Sequence, residues 1–338
     1  MSASAIDPLK LHEDAIVIDA VSPLIRTRKY IELCIKGGFT CVAPTIASSQ
    51  SSNYALKSLA DWHRYLDVTP NVILAKTAAD IERAKREKKF SVLFHFQGTD
   101  PFDDDLNLVE AYRELGVRMV QLAYNVKNRV GDGCTERTDC GLSDFGVRLI
   151  QRLNQSRMIV DCTHTGYRTT MEAMEVSTAP VVFSHSNSKS VYKHQRNITD
   201  EQAKAAAKTG GLVGVNIVPY FIIPKGRPSM DQFCAHIDHY VKLIGIDHVG
   251  IGFDYFDGQQ PFASDEKAMA IWRENIETGR WSREGWPEPP HYYPEGLDTP
   301  EHMRNLTKAL VARGYNSEDT KKILGGNWMR VFRTVFGS

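Results

Sequence analysis

Eight apolar runs, each separated from the next by an amphipathic segment, leave this chain few folds to adopt. The runs lie near 16–18, 39–44, 92–96, 117–124, 158–162, 181–184, 211–218 and 249–253. Most are continuous and rich in Val and Ile, the pattern of parallel strands buried on both faces. The segments between them carry helical spacing, at 27–36, 52–66, 78–88, 105–115, 142–154, 167–175, 199–208 and 230–243. Thr199 stands as a cap at one helix start, and Gly116, Gly210 and Gly245 stand at three helix ends. Eight strand–helix units predict an α/β fold, a closed (β/α)8 TIM barrel. The competing open, doubly wound sheet would carry G-x-G-x-x-G after its first strand, and none is there.

The pattern changes after the eighth strand. Residues 259–297 are rich in Pro, Tyr and charge and hold three of the five tryptophans, Trp272, Trp281 and Trp286. This aromatic insertion reads as a lid or a dimer contact, because exposed aromatics of that density are expected to cover something. Helices resume over 299–338 as a C-terminal extension. The whole chain, 1–338, is expected to be one barrel domain with these two additions.

Lys plus Arg and Asp plus Glu both total 41, so nothing pulls the chain toward nucleic acid or a membrane surface. No run approaches the roughly 20 apolar residues that span a bilayer. The first residues lack a basic start followed by an apolar core, so a cytoplasmic location is expected. The six cysteines are scattered, which suits reduced thiols.

Barrel enzymes build their sites from strand ends. Here the third strand ends His95-Phe96-Gln97, the fourth Ala123-Tyr124-Asn125 and the fifth Cys162-Thr163-His164. The sixth ends Phe183-Ser184-His185, and the eighth ends Phe253-Asp254-Tyr255. His, His and Asp at such ends form the layout of a metal-assisted hydrolase. His236 and His239, at i and i+3, are expected on a solvated helix face. Asp103, Asp104 and Asp105 are expected to open a helix.

These segments resemble the membrane (renal) dipeptidase family of the amidohydrolase superfamily. The resemblance runs from about residue 10 to the C-terminus. It is carried by Gly141-Leu142-Ser143-Asp144-Phe145-Gly146, Asp161-Cys162-Thr163-His164, Phe183-Ser184-His185-Ser186, His194-Gln195-Arg196-Asn197, Gly250-Ile251-Gly252-Phe253-Asp254 and Gly326-Asn327-Trp328. It implies that His164 and His185 bind a zinc ion. It also implies that Asp254 handles the attacking water's proton and that Arg196 receives a substrate carboxylate, and a homodimer is expected. The chain departs from the family where the His-x-Asp pair after strand 1 aligns with Val21 and Pro23. Gln97 replaces the bridging Glu, and Tyr124 replaces a His. The site is therefore expected to hold one zinc rather than two, with His95, Gln97, Cys134 or Glu136 left open as the residue that completes it.

The expected function is hydrolysis of a C–N bond, amide or peptide, in a small carboxylate-bearing molecule. Asp254 and Tyr124 are the expected catalytic groups, Arg196, Gln97 and Tyr255 the substrate contacts, and His164, His185 and Cys134 the metal ligands. Ordinary dipeptides are expected to be poor substrates. The alternative is a metal-free barrel that binds a small acid, with lyase or isomerase chemistry on Asp254 and Tyr124, or with no catalysis.

Overall fold

A computed structural model describes residues 6–337. The barrel strands are β1 (Ile18–Asp19), β2 (Cys41–Val42, resuming at Thr45–Ala47), β3 (Phe90–Val92, resuming at Phe94–Phe96), β4 (Val117–Gln121), β5 (Ile159–Asp161), β6 (Val181–Val182), β7 (Val213–Val215) and β8 (Val249–Ile251). Each runs parallel to the next. A parallel bridge between Phe183 and Val213 joins β6 to β7. The ring closes where the Ala20 N–H donates to the Ile251 carbonyl at 3.2 Å. The eight-stranded barrel read from the sequence is the observed fold.

The strands sort their side chains with a period of two. Met158 and Val160 pack outward with the helices, and Ile159 packs in a second cluster with Ile18, Met119, Val182 and Leu212. Trp328, Phe332 and Phe336 of the last helix, Asn327–Phe336, join that second cluster and plug the barrel from below. The indole N–H of Trp328 donates to the Ile251 carbonyl at 3.0 Å. Full burial of an indole of this size contributes about 4–6 kcal/mol of apolar transfer free energy.

Several helices start on capping boxes: Thr77 with Asp80, Thr199 with Gln202, and Ser229 with Gln232. Gly245, at φ 84°, ends the helix Met230–Ile244 and turns the chain into β8.

Three expectations fail locally. The acidic run at 103–105 does not begin a helix. Asp103 takes a left-handed turn conformation at φ 49°, and the helix starts at Leu108. His236 is wholly buried and its Nδ1 accepts the Ser188 N–H, while His239 pairs with Asp200 at 2.8 Å. A short strand at Val72–Leu74, absent from the sequence reading, pairs with the lower part of β3. Within 259–297 the helix Asp265–Glu277 forms, and Trp272 and Trp286 are buried. Among the described residues, no helix is long and apolar enough to cross a membrane.

Candidate metal centre

Above the apolar plug the barrel interior turns polar. His95 from β3 and Asp161 from β5 face each other, Nε2 to Oδ2 at 3.4 Å, and neither is exposed. Gln121 from β4 donates to the carbonyls of Gln97 and Ala123. Asp161 Oδ1 accepts the N–H groups of Thr163 and Ser184, each at 2.9 Å. Burial opposes the carboxylate's charge. The His95 ring and the Ser184 hydroxyl work against it, and Asp161 is held down at about 2.

That anion fixes the protonation of the next layer. Ser184 Oγ lies 2.5 Å from Asp161 Oδ2 and 2.7 Å from His185 Nδ1. An ionised carboxylate only accepts, so the single hydroxyl proton goes to Asp161. Ser184 Oγ then accepts from His185 Nδ1–H, and the lone pair of His185 resides on Nε2.

His164 is fixed by a second device. The Asn125 amide nitrogen donates to the Arg280 carbonyl at 2.9 Å, which sets the amide's orientation. Its oxygen therefore faces His164 Nδ1 at 2.6 Å and accepts that N–H. The lone pair of His164 is likewise on Nε2. The two Nε2 atoms point at each other at 3.0 Å in a buried site. Two bare acceptors at that distance repel unless a cation lies between them. Burial, with the Arg196 charge next, holds both imidazoles well below the usual histidine range, so a proton is not that cation at neutral pH.

Asp254 stands beside the pair, its Oδ2 3.9 Å from His185 Nε2. Burial pushes its carboxyl up to about 7, with Arg196 and the neighbouring Gln97 amide pulling the other way. Gln97 Nε2 is buried with no hydrogen-bond partner. The Tyr124 ring stacks on His164 at 4.3 Å, and the Trp281 N–H reaches its hydroxyl at 3.3 Å. Asn125, His164 and Asp254 all take left-handed backbone conformations, at φ 63°, 65° and 62°. Three such non-glycine residues at three strand ends are strain held where side chains must be aimed inward.

Two clefts meet at His164. The front one, about 150 Å³, is walled by Gln97, Tyr124, Asp254, Arg280, Trp281 and Trp286. The rear one, about 200 Å³, holds Cys134, Glu136, Lys189 and Arg196. Arg196 is buried and donates to the His185 carbonyl at 2.9 Å and to Ser186 Oγ at 3.2 Å, leaving Nε unpaired. Cys134 Sγ lies 3.8 Å from the Asn125 amide oxygen and is not gathered with the imidazole pair as part of a ready cage, and burial pushes the thiol up to about 11. Glu136 is spent on the backbone N–H groups of Lys127 and Arg137. Tyr255 is not on either wall: it is wholly buried and donates to the Leu297 carbonyl at 2.8 Å. Sequence reasoning assigned no role to Asn125, Ser184, Asp161 or Arg280. Asn125 and Ser184 were visible as strand-end residues, but only the fold shows what they orient.

Two neutral imidazoles with converging lone pairs fit one divalent ion, each supported through its other nitrogen as bound histidines are. Among the described residues no group of three His, Cys, Asp or Glu is gathered as a ready cage, so the fit rests on this pair with Asp254 nearby. A second ion is not fitted: Val21, Pro23, Gln97 and Tyr124 offer it no anionic ligand.

The model of the membrane dipeptidase family (peptidase family M19) matches residues 28–276 and 287–336. The chain is 30% identical to an amidohydrolase from Pseudomonas aeruginosa of known structure. The two superpose with a TM-score of 0.90 over 98% of this chain and 100% of that one. It is 29% identical over 273 residues to the "Uncharacterized protein in pqqA 5'region" of Klebsiella pneumoniae, covering 78% of this chain and 89% of the relative. It is 28% identical to the dipeptidase tcpJ of Claviceps purpurea over 78% of this chain, but the match spans only about half of that relative, 55%. This chain belongs to the membrane dipeptidase family, a family of hydrolases within the amidohydrolase superfamily.

Proposed function

We propose that the chain hydrolyses an amide bond in a small carboxylate-bearing molecule, using one divalent ion, zinc by ligand chemistry, held by His164 and His185. The observation that carries this reading is the approach of the two Nε2 atoms to 3.0 Å, with Asn125 and Ser184 on the opposite ring nitrogens. When bound, the ion supplies Lewis acidity at the mouth of the barrel.

The chain's own groups do the rest. Asp254, with a carboxyl near neutrality, accepts a proton from water at its Oδ2 and returns it to the leaving nitrogen. The Tyr124 hydroxyl is placed to donate to the oxygen of the scissile carbonyl, and burial keeps that hydroxyl protonated. Arg196 offers the Nε–H that no protein group uses to a substrate carboxylate. Trp281 and Trp286, stacked 6.1 Å apart, shield the front cleft from water. Loss of the second ion's ligands makes ordinary dipeptides poor substrates.

The test is release of the free amine by zinc-loaded protein, alanine from N-acyl-L-alanines and alaninamide from the matching N-acyl-alaninamides. Hydrolysis of the acids but not of the neutral amides is expected. Equal rates for both, or no release from any acid, contradicts the reading. A second reading, metal-free acid–base chemistry, is favoured by the same near-neutral Asp254 beside Tyr124. It predicts turnover that survives chelation.

A further inference from the structure

The front cleft carries positive charge where a dipeptide would bring its own. Of its lining residues Asp254 is the one carboxylate, and Arg26 and Arg280 are both present. Arg26 sits at the exposed rim, with its guanidinium on Tyr54. Arg280 lies deeper. Its guanidinium stands 5.3 Å from the centre of the Tyr124 ring, which is itself stacked on His164.

Arg280 is poorly matched by protein. It enters no ion pair among the described residues. Its side-chain hydrogen bond to Ser48 Oγ is long, at 3.5 Å, and its Nε is buried without a partner. An arginine half-sequestered in a cleft with unused donors is costly unless an anion completes it. The backbone that delivers it is fixed, because the Arg280 carbonyl accepts the Asn125 amide proton. Trp281, the next residue, anchors on the Tyr124 hydroxyl. Both residues fall in 277–286, the stretch lying between the two segments that the family model matches.

We propose that Arg280 is a specificity-determining residue that binds a second carboxylate, on the acyl side of the scissile bond. The substrate class is an N-acyl amino acid whose acyl group ends in a carboxylate, such as a half-amide of a four- or five-carbon dicarboxylic acid. A free α-ammonium in the front cleft would face Arg26 and Arg280 and be repelled. This rests on the amide-hydrolase reading above, with Arg196 taking the amino acid's own carboxylate from the rear cleft.

The test uses N-succinyl-L-alanine and N-butanoyl-L-alanine, which match in length and differ in a terminal carboxylate. Binding is read by calorimetry on zinc-loaded Asp254→Asn protein, so the result does not depend on turnover. The succinyl compound is expected to bind about tenfold more tightly, as befits a charge-assisted arginine contact. Adding Arg280→Gln should lower it to the butanoyl level and leave butanoyl binding unchanged. Equal affinities in protein that retains Arg280 overturn the proposal, and this comparison needs no folded Arg280 variant. So does a succinyl preference that persists in Arg280→Gln. The two readings fail separately. A succinyl preference with no alanine release by unmutated protein sinks the hydrolysis and leaves Arg280 standing. Hydrolysis of both compounds with no succinyl preference does the reverse.

Discussion

Replacing Asn125 with alanine isolates the device that aims His164. Three local effects set the magnitude. Alanine at φ 63° gives up the tolerance that Asn has for the left-handed region, costing about 1 kcal/mol. His164 Nδ1–H is left buried without an acceptor, costing about 1–3 kcal/mol. The imidazole has an escape, however. If the proton moves to Nε2, the facing nitrogens form an N–H···N hydrogen bond in place of two opposed lone pairs. The metal-free protein then recovers part of the loss, while the metal-loaded protein does not. With about 2.1 cal/mol/K of unfolding entropy per residue, 2–4 kcal/mol lowers Tm by about 3–6 °C in a chain of this size. Zinc affinity should fall by about 10–100-fold, the range for loss of a histidine's supporting partner. Asn125→Asp is the control: it keeps an acceptor for His164 Nδ1–H, adds a negative charge there and loses the donor to the Arg280 carbonyl, so zinc affinity should be retained or raised. The assay is competition for zinc against a fluorescent chelator, with melting curves of both forms. Zinc affinity in Asn125→Ala equal to that of the unmutated protein would refute the tautomer argument.

Other consequences are as direct. His12 and His236 are buried, with their rings pushed down to about 4 and about 3 by burial. The unfolded chain takes up these protons near 6.5 and the folded chain does not. The pair's contribution to stability is therefore full above that pH and falls as pH drops from about 6.5 toward 4, at about 3 kcal/mol per pH unit, while the raised carboxyls of Asp19 and Asp254 work the other way. Denaturant melts of the unmutated protein and of His236→Gln at pH 7.5, 6 and 5 check this: the stability gap between them should narrow as pH falls, and a gap independent of pH would contradict it. Gly252→Ala would place a methyl carbon 1.8 Å from the Ser184 carbonyl oxygen, so β8 must move against β6. More than 4 kcal/mol of destabilisation, or insoluble protein, is the expected result in expression and melting trials. Asp254→Asn should cut kcat by about 10²–10⁴ with a much smaller change in KM. A loss confined to KM would remove Asp254 from proton transfer.

Much of this architecture was legible because barrel strands announce themselves. Buried parallel strands are continuous apolar runs, and their last residues point at the mouth, so His164, His185 and Asp254 were visible as a group. What was hidden depends on contacts across the chain. Asn125 matters only because Arg280, 155 residues later, takes its amide protons. The aromatic insertion showed that something is covered, but not that Arg280 rides in with the tryptophans. His236 looked solvated because spacing alone does not say which helix face meets the barrel, and Ser188 had a backbone N–H to satisfy. Cys134 looked like a ligand on chemistry, yet its loop packs the thiol against the Asn125 amide. Tyr255 follows Asp254 in sequence, but its side chain runs into the core toward Leu297.

The central claim is that this barrel holds a single ion between two imidazoles. The most direct measurement is a crystal structure of zinc-loaded protein with anomalous diffraction collected at the zinc edge. The account predicts one peak per chain, bonded to Nε2 of His164 and Nε2 of His185. No peak at that pair after zinc loading, a pair of peaks reaching toward Gln97 and Val21, or a peak on Cys134 would contradict it.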